Sequence, residues 1–281
     1  MRILISGAAG FIGSHLAERF SADDHEVLGL DDFTTGHNRN FVATEFCDIR
    51  NAESLDEYGR AWEPELVVHC AASYRDPDDW ETDVEVNIGG TINMLRLCEE
   101  HAARLVYFQT ALPPLSSYAL SKITAGRYIT MSGADALVFR LANIYGPRNI
   151  SGPIPAFYKR LSAGQRCTVV RTERDMLYVG DLVQAVADCV YLERSGWYDL
   201  CSGQETSIAE LYGLVARYFP DHDPPGVTSP GEDDVKTQLN PALRPPRWNP
   251  STSLEFGVAE AVEWYHQNGI GETFTHLSLK G

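Results

Sequence analysis

The sequence has no uninterrupted apolar run near the ~18 residues that a membrane-spanning helix needs. Its six cysteines form no CxxC pair and no cluster with histidine, so the sequence offers no metal site, and buried free thiols are expected. The first residues, MRILISGAAG, have one basic residue and pass straight into a predicted strand and glycines, so a signal peptide is not expected. We therefore expect a cytoplasmic protein without a bound metal.

Positive charge is also scarce. The chain has 23 basic against 39 acidic residues and a formal net charge of −16. A surface this negative repels nucleic acid and anionic membranes, so neither is expected as a partner. An anionic substrate would need a local group of arginines to offset the negative electrostatic potential of the rest of the surface.

What the sequence does contain is a regular alternation of short apolar runs with helical patterns. Runs typical of buried strands occur at 2–7, 26–30, 66–72, 104–110 and 136–147, and helical spacing occurs at 11–23, 86–102 and 117–130. Buried strands that alternate with helices predict an α/β fold with a Rossmann-type, doubly wound parallel sheet.

The composition changes after YGPR (145–148), where glycine and proline become frequent. A helical pattern at 177–193 indicates a return to the first domain, and 253–269 predicts an amphipathic helix. We predict a larger domain of residues 1–147 plus 176–202. A smaller, interleaved domain would consist of residues 148–175 plus 203–281.

The segment ILISGAAGFIGSHL places Gly7, Gly10 and Gly13 between the first strand and the first helix. Gly7 permits a tight turn, Gly10 lets the backbone approach a pyrophosphate at the helix N-terminus, and Gly13 allows close helix–strand packing. Asp31 ends the second strand, where a carboxylate can bind both hydroxyls of an adenine ribose and repel a 2′-phosphate. The pattern predicts dinucleotide binding, with NAD favoured over NADP. The alternative is a purely structural turn.

The stretch YFQTALPPLSSYALSK (107–122) holds Tyr118 and Lys122 one turn apart on a predicted helix, and Thr110 at the end of a predicted strand. Taken alone, a tyrosine and a lysine at this spacing are typical of an exposed helix face. Beside a dinucleotide-binding turn they become a candidate catalytic pair.

Several motifs follow one another in a recognisable order: GAAGFIGSHL, LDDFTTG, CDIR (47–50), HCAAS (69–73), VNIGGT (86–91), YALSK, LANIYGPR and RDMLYVGDLVQA (174–185). Over nearly the whole chain they resemble the extended short-chain dehydrogenase/reductase family, which includes nucleotide-sugar epimerases and dehydratases. FQTAL and GPIPAFYKRL are similar to a bacterial branch of UDP-sugar 4-epimerases that serves surface-polysaccharide biosynthesis. The resemblance implies that the larger domain binds NAD and the smaller one the substrate.

The resemblance also implies roles for single residues. Tyr118 would be the acid/base, Lys122 would lower its pKa and hold the nicotinamide ribose, and Thr110 would hydrogen-bond the substrate oxygen. The implied cofactor contacts are Gly7, Gly10, Phe11, Ile12, Gly13, Asp31, Asp32, Phe33, Thr34, Thr35, Gly36, Asp48, Ile49, Cys70, Ala71, Ala72, Tyr74, Asn87, Tyr118, Lys122 and Ala142. Asn143 and Arg174 would bind the nucleotide diphosphate. Arg75 would place a cation near the sugar C6, or form a surface salt bridge with Asp76 or Asp78.

Three features depart from the family pattern. The segment between Thr110 and Tyr118 is short, so that either the loop is reduced or the sequence lacks a flexible segment. Ala111-Leu112 stands where the 4,6-dehydratases of the family carry Asp-Glu, which disfavours dehydration. TSPGEDDV (228–235) lacks a second diphosphate arginine, for which Arg244 or Arg247 would have to substitute.

We predict an NAD-dependent epimerase that acts at C4 of a nucleotide-linked sugar, a UDP-hexose or UDP-hexuronic acid. The family resemblance implies a homodimer, with the helices at 86–102 and 117–130 as candidates for the interface. The alternatives are a dehydratase or decarboxylase that shares the first oxidation, and a net oxidoreductase that consumes cofactor. A non-catalytic NAD(P)-sensing protein of the same fold is the alternative from a different class.

Overall fold

The structure, a computed structural model, describes residues 1–36, 43–74, 76–193, 195–231, 236–237 and 239–273. The chain divides into two compact units, Met1–Leu141 with Val183–Asp199, and Ala142–Leu182 with Leu200–Gly281. In the described residues no helix is long and apolar enough to cross a membrane. The same residues contain no group of three or more His, Cys, Asp or Glu side chains that could hold a metal ion.

The elements up to Leu141 are β1 (Arg2–Ser6), α1 (Phe11–Ala22), β2 (Glu26–Asp31), β3 (Thr44–Phe46), α2 (Ala52–Trp62), β4 (Leu66–His69), α3 (Trp80–Thr82), a π-helical segment (Asp83–Gly90), α4 (Thr91–His101), β5 (Arg104–Thr110), α5 (Ser117–Ser132) and β6 (Ala136–Leu141). The later elements are β7 (Asn143–Tyr145), α6 (Pro153–Ser162), β8 (Thr168–Val170), β9 (Glu173–Tyr178), α7 (Val179–Cys189), β10 (Gly196–Leu200), β11 (Glu205–Ser207), α8 (Ile208–Ala216), β12 (Gly226–Thr228), a 3-10 helix (Pro241–Leu243) and α9 (Leu254–Asn268).

The first unit is built on a seven-stranded sheet with the order β10-β6-β5-β4-β1-β2-β3. The pairings from β3 through to β6 are parallel. Ile3, Leu4 and Ile5 of β1 are all fully buried, as in a strand covered on both faces. From β1 to β3 the chain adds strands on one side of β1, and from β4 onwards it adds them on the other side. The position between β1 and β4 is therefore a topological switch point, where doubly wound sheets bind ligands. The predicted Rossmann-type α/β fold is confirmed.

A partly buried ion pair links the edge strand β10 to this sheet. Arg140 of β6 donates two hydrogen bonds, of 2.6 and 2.7 Å, to the two carboxylate oxygens of Asp199 in β10. The side chain of Asp199 is only 1% exposed, so its charge needs a partner with this bidentate geometry.

The second unit contains a three-stranded sheet, β11-β9-β7, and a two-stranded sheet, β12-β8. Its apolar core includes Tyr145, Phe157, Leu211 and Val262, contributed by β7, α6, α8 and α9. The carboxylate of Asp181 accepts hydrogen bonds from the backbone amides of residues 251 and 252, at 3.1 Å each, and so holds the segment before α9.

The bounds of the two units differ from the predicted domain bounds. Residues 142–147 and 176–182 lie in the second unit, because β7 pairs with β9 (Asn143 with Met176) instead of continuing the large sheet. Residues 200–202 also lie in the second unit. The assignment of one unit to the cofactor and the other to the substrate stays a prediction.

Candidate active site

The glycine turn connects β1 to α1 at the switch point of the sheet. Gly7 has φ +70°, and a Cβ there would lie 2.6 Å from the backbone nitrogen of Ala71. A Cβ on Gly13 would collide with the carbonyl oxygen of Gly7. No side chain caps α1, and its first turn has no acidic residue. Because the first amides of a helix have no partner within it, this end suits the pyrophosphate of a dinucleotide.

Asp31 lies beside this turn and is largely buried. Its Oδ2 accepts the N–H of Ala9 at 2.9 Å, and its Oδ1 accepts the N–H of Phe33 at 2.8 Å. Burial raises the pKa of Asp31, while the two amides act in the opposite direction. Each oxygen retains a lone pair for a ribose hydroxyl. Gly36 closes the loop against Ala9, since a Cβ on Gly36 would lie 2.7 Å from the Cβ of Ala9.

The other residues predicted to line the adenosine are held by protein contacts. The side chain of Arg50 binds the carboxylate of Asp48 at 2.7–3.0 Å and holds its pKa below the usual range. Ile49 is buried, and its carbonyl accepts the side-chain amide of Asn93 at 3.0 Å. The Asp48 side chain is therefore engaged by Arg50, and its contact with adenine stays a prediction.

Asn87 is held by hydrogen bonds within the protein. Its buried amide accepts the N–H of Ser73 at 2.9 Å and donates to the carbonyl of Ser73 and to Oγ of Ser121, both at 3.0 Å. Asn87 thus connects the loop after β4 to α5, and its contact with the cofactor stays a prediction. Arg75, in the same loop, lies outside the described residues.

Thr110, Tyr118 and Lys122 lie at the end of β5 and in the first two turns of α5. Ser116 caps α5 by accepting the N–H of Ala119 at 3.2 Å. The link at 111–116 leads from the end of β5 to this cap. The hydroxyl oxygen of Thr110 accepts the N–H of Leu112 at 3.2 Å, which leaves its proton for another acceptor.

The pKa values of the Tyr–Lys pair move in opposite directions. Lys122 is 4% exposed, and burial lowers its pKa to about 7. Burial raises the pKa of Tyr118, and the nearby Tyr74 and Asp83 add to that effect. The protein alone therefore does not give Tyr118 the lowered pKa that the sequence analysis expected from Lys122. Burial removes water from the phenolate, and this loss of solvation raises the pKa of Tyr118 more than any other contribution does.

In the second unit, Asn143 and Arg174 lie on the neighbouring strands β7 and β9. Asn143 donates to the carbonyl of Asp175 at 3.1 Å, and Arg174 donates to Oγ1 of Thr172 at 2.8 Å. Burial lowers the pKa of Arg174. Their contact with a diphosphate stays a prediction. Ala142 is buried, and its N–H donates to the carbonyl of residue 200 at 3.0 Å.

The arginines considered as substitutes for the missing one differ in their surroundings. Arg244 donates to the carbonyls of Cys201 and Ser202 and to Asn249, so its guanidinium supports the turn after β10. Arg247 is exposed and has φ 62°. The guanidinium of Arg244 is thus occupied by hydrogen bonds within the second unit.

Several residues that shape the site were not predicted from the sequence. Asn93 holds the carbonyl of Ile49, and Tyr107 donates its hydroxyl to the backbone carbonyl of Lys122. Both belong to patterns that indicated only a helix and a buried strand. The charge of Asp83, which lies outside every predicted element, adds to the raised pKa of Tyr118. Their contacts depend on which elements pack together, and the spacing of residues along the chain carries no signal for that.

A glycine turn at the switch point of a doubly wound sheet, with an acid at the end of β2, defines a dinucleotide-binding protein of the Rossmann type. The model of the NAD dependent epimerase/dehydratase family matches residues 3–193, and the chain belongs to this family. The predicted family and the predicted cofactor, NAD, are confirmed.

Individual relatives include enzymes of two activities. The Bordetella bronchiseptica enzyme WbmG, solved in complex with NAD and UDP, is 34% identical, with a TM-score of 0.88 and coverage of 99% of both chains. UDP-glucose 4-epimerase of Mycolicibacterium smegmatis is 28% identical over 94% of this chain and 98% of its own. UDP-glucuronic acid decarboxylase 1 of Xenopus tropicalis is 26% identical over 95% of this chain and 72% of its own.

The position of Asp31 predicts selectivity for NAD. We expect Asp31→Asn to weaken NAD binding at least about tenfold, because a hydrogen bond to a charged group contributes about 1.5–3 kcal/mol. NADP binding should weaken less, since the repulsion of its 2′-phosphate disappears. Calorimetric titration of nucleotide-free protein with both dinucleotides measures the ratio. Glu45→Gln, an exposed acid in β3, is the control for loss of one charge. An unchanged NAD/NADP ratio in Asp31→Asn would contradict this role.

Proposed function

We propose that the protein epimerises C4 of a UDP-linked hexose or hexuronic acid through a transient 4-keto sugar. The observation that carries the proposal is the set of Thr110, Tyr118 and Lys122 at the end of β5 and the start of α5, in a unit of the NAD-dependent family. Ala111-Leu112 supports it, because this dipeptide offers no acid for elimination. A relative that binds NAD and UDP, and another named as a UDP-glucose 4-epimerase, also support it.

Each of the three side chains has one task. Tyr118 accepts the proton of the 4-hydroxyl when C4 is oxidised, and returns it after the keto sugar has turned over. Thr110 donates its hydroxyl proton to the substrate oxygen, since its own oxygen already accepts the N–H of Leu112. Bound NAD supplies a hydride acceptor for the first half of the reaction and a hydride donor for the second.

Lys122 has to make the phenolate of Tyr118 accessible near neutral pH. For Tyr118 to work at pH 7, its pKa must fall by at least about three from the ordinary value of 10. A charged ammonium one helical turn away favours the phenolate, and the positive ring of the oxidised cofactor acts in the same direction. With a pKa of about 7, Lys122 is close to half charged at neutral pH.

For the substrate, we propose that Asn143 and Arg174 bind the nucleotide diphosphate, where the arginine suits charge-assisted contacts. Arg75 is the proposed partner of a C6 carboxylate in a hexuronic acid. A cytoplasmic location stays a prediction from the sequence, and a role in surface-polysaccharide biosynthesis stays a prediction of the family resemblance.

A second candidate is the decarboxylation of a UDP-hexuronic acid, which shares the first oxidation. The 26% identity to UDP-glucuronic acid decarboxylase 1 favours it specifically. Intact Thr110, Tyr118 and Lys122 argue against a non-catalytic NAD(P)-sensing protein.

Incubation with a panel of UDP-hexoses and UDP-hexuronic acids, followed by NMR of the products, tests the proposal. We expect a C4 epimer to form without added cofactor, because the hydride returns to the sugar. Release of CO2 with a UDP-pentose product would establish the second candidate instead. Net NADH or a 4-keto-6-deoxy sugar would contradict both.

We also propose a homodimer formed through α5 and the helical segment before α4. Leu120 and Met131 of α5 are 55% and 80% exposed, and Trp80 and Val84 of the neighbouring segment are 67% and 53% exposed. Exposed apolar side chains in such number on neighbouring helical segments are typical of an interface with a second copy.

The double variant Leu120→Glu/Met131→Glu is expected to be monomeric, because four acidic side chains would have to be buried across the symmetric contact. Light scattering after size-exclusion chromatography measures the mass. Leu243→Glu, which changes an exposed leucine of the second unit, should leave the dimer intact. A dimeric double variant would contradict this interface.

A further inference from the structure

Beneath the proposed site, a row of buried polar side chains crosses three strands of the large sheet. Ser6 of β1 is in register with His69 of β4, and His69 is in register with Tyr107 of β5. All three are 0% exposed. Residues in register on parallel strands point to the same face, and here that face is covered by Thr91 of α4 and Lys122 of α5.

Burial lowers the pKa of His69 to about 3, so the ring is neutral and only one of its nitrogens carries a proton. Thr91 donates its hydroxyl to the carbonyl of Asn87 at 2.7 Å, so it accepts from Nε2 of His69 at 3.0 Å. Nδ1 of the neutral ring then accepts the hydroxyl of Ser6, at 2.7 Å. The row places no competing cation near Lys122.

Tyr107 contacts Lys122 at two points. The Nζ of Lys122 lies 4.2 Å from the centroid of the Tyr107 ring, within the range of a cation–π interaction. The hydroxyl of Tyr107 donates to the backbone carbonyl of Lys122 at 3.0 Å. Burial raises the pKa of Tyr107 far above neutrality, so the hydroxyl stays a donor and the ring stays neutral.

We propose that Tyr107 is a positioning residue for Lys122: its ring holds the ammonium, and its hydroxyl holds the backbone of the same residue. The proposal rests on the proposed function for the catalytic task of Lys122. The ring offers the charged amine an attractive surface where water is excluded, and so favours the charged form that Tyr118 needs. Within the described part of the chain, His69 of β4 and Cys70 just after it are titratable groups that interact electrostatically with Lys122.

The titration of Lys122 can be measured directly because the chain has only four lysines, at positions 122, 159, 236 and 280. Protein labelled with 13C at lysine Cε gives few signals, and the spectrum of Lys122→Met identifies the one from Lys122. We compare Tyr107→Phe, which keeps the ring, with Tyr107→Leu, which removes it. Phe139→Leu removes an equally buried ring from the adjacent strand β6 and is the matched control.

We expect Tyr107→Leu to lower the pKa of Lys122 by about one, since the variant loses the cation–π interaction that favours the charged amine. Its kcat at pH 7 should fall at least about tenfold with little change in KM, as expected when a catalytic group is misplaced. Tyr107→Phe should keep the pKa of Lys122, and Phe139→Leu should keep both the pKa and kcat. An unchanged pKa of Lys122 in folded Tyr107→Leu would overturn the proposal.

A second series keeps the test decisive if Tyr107→Leu does not fold. Phenylalanine carrying one, two or three ring fluorines at position 107 preserves the shape of the ring and weakens its attraction for a cation in steps. We expect the pKa of Lys122 to fall with each fluorine, and a flat series would overturn the proposal. The NMR readout needs no substrate, so a fluorine-dependent titration without any epimerase activity would refute the proposed function and leave the role of Tyr107 standing.

Discussion

Replacing Tyr118 by phenylalanine is expected to lower kcat about 10³–10⁴-fold, because general acid–base catalysis contributes up to about 10⁴ and the substitution removes the only atom that exchanges the proton. The ring and its packing on α5 remain, so binding of the UDP-sugar and of NAD should change less than about threefold. Progress curves by NMR give kcat, and the NAD content of the purified variant gives retention of the cofactor.

Tyr128→Phe is the matched control for this variant. Tyr128 lies on the same helix and is 43% exposed. Its substitution removes the same hydroxyl oxygen at a position away from the candidate site. It should keep the wild-type kcat. A Tyr118→Phe variant with kcat within about fivefold of wild type would remove the proposed mechanism, whatever the sugar is.

The sequence predicted five of the seven strands of the large sheet, because long apolar runs mark strands that are buried, and it missed the edge strands β3 and β10. The runs at 2–7 and 104–110 became β1 and β5 with nearly the same bounds, and Gly7 and Asp31 lie where the strand–turn–helix pattern placed them. The run at 136–147 was wrong as one element, since the chain leaves the large sheet after Leu141 and starts β7 in another sheet. Hydrophobicity alone carries no mark of that change.

The candidate site was predictable only in part, for the same kind of reason. Motif order located Thr110, Tyr118 and Lys122 along the chain. It carried no information on the burial of Lys122, the use of the Asn87 amide by Ser73 and Ser121, or the row beneath the site. The contact between Ser6 and His69 joins residues 63 apart, and it becomes visible only when the strand order is known.

Burial of Lys122 has a thermodynamic consequence for the whole protein. The pKa of Lys122 is about 7 in the folded state against an ordinary value of 10.5. Between these two values the unfolded chain binds more protons than the folded one, so the unfolding free energy rises with pH across this window. Below pH 7 the full cost of holding the ammonium in the fold is present, with an upper bound of roughly 5 kcal/mol.

Lys122→Met is therefore expected to abolish most activity and to stabilise the nucleotide-free protein at pH 7. The methionine fills the same apolar space without a charge, and we expect a gain of about 2–4 kcal/mol after the loss of the contact with Tyr107. The kcat should fall about 10²–10³-fold. The acid limb of the pH–rate profile should move to higher pH, because Tyr118 loses the cation that favours its phenolate. Urea unfolding at pH 6, 7 and 9 measures stability, and pH–rate profiles measure the limb.

The pH dependence separates the removal of a buried charge from a simple improvement in packing by the methionine side chain. The wild type should gain stability from pH 7 to 9 relative to Lys122→Met, since only the wild type loses the buried charge over that interval. Lys159→Met, at a lysine of α6 outside the candidate site, should stay within about 0.5 kcal/mol of wild type. If Lys122→Met were less stable than wild type at pH 7, the ammonium would be a stabilising part of the fold. The charge that assists Tyr118 would then be buried without the expected decrease in the free energy of unfolding.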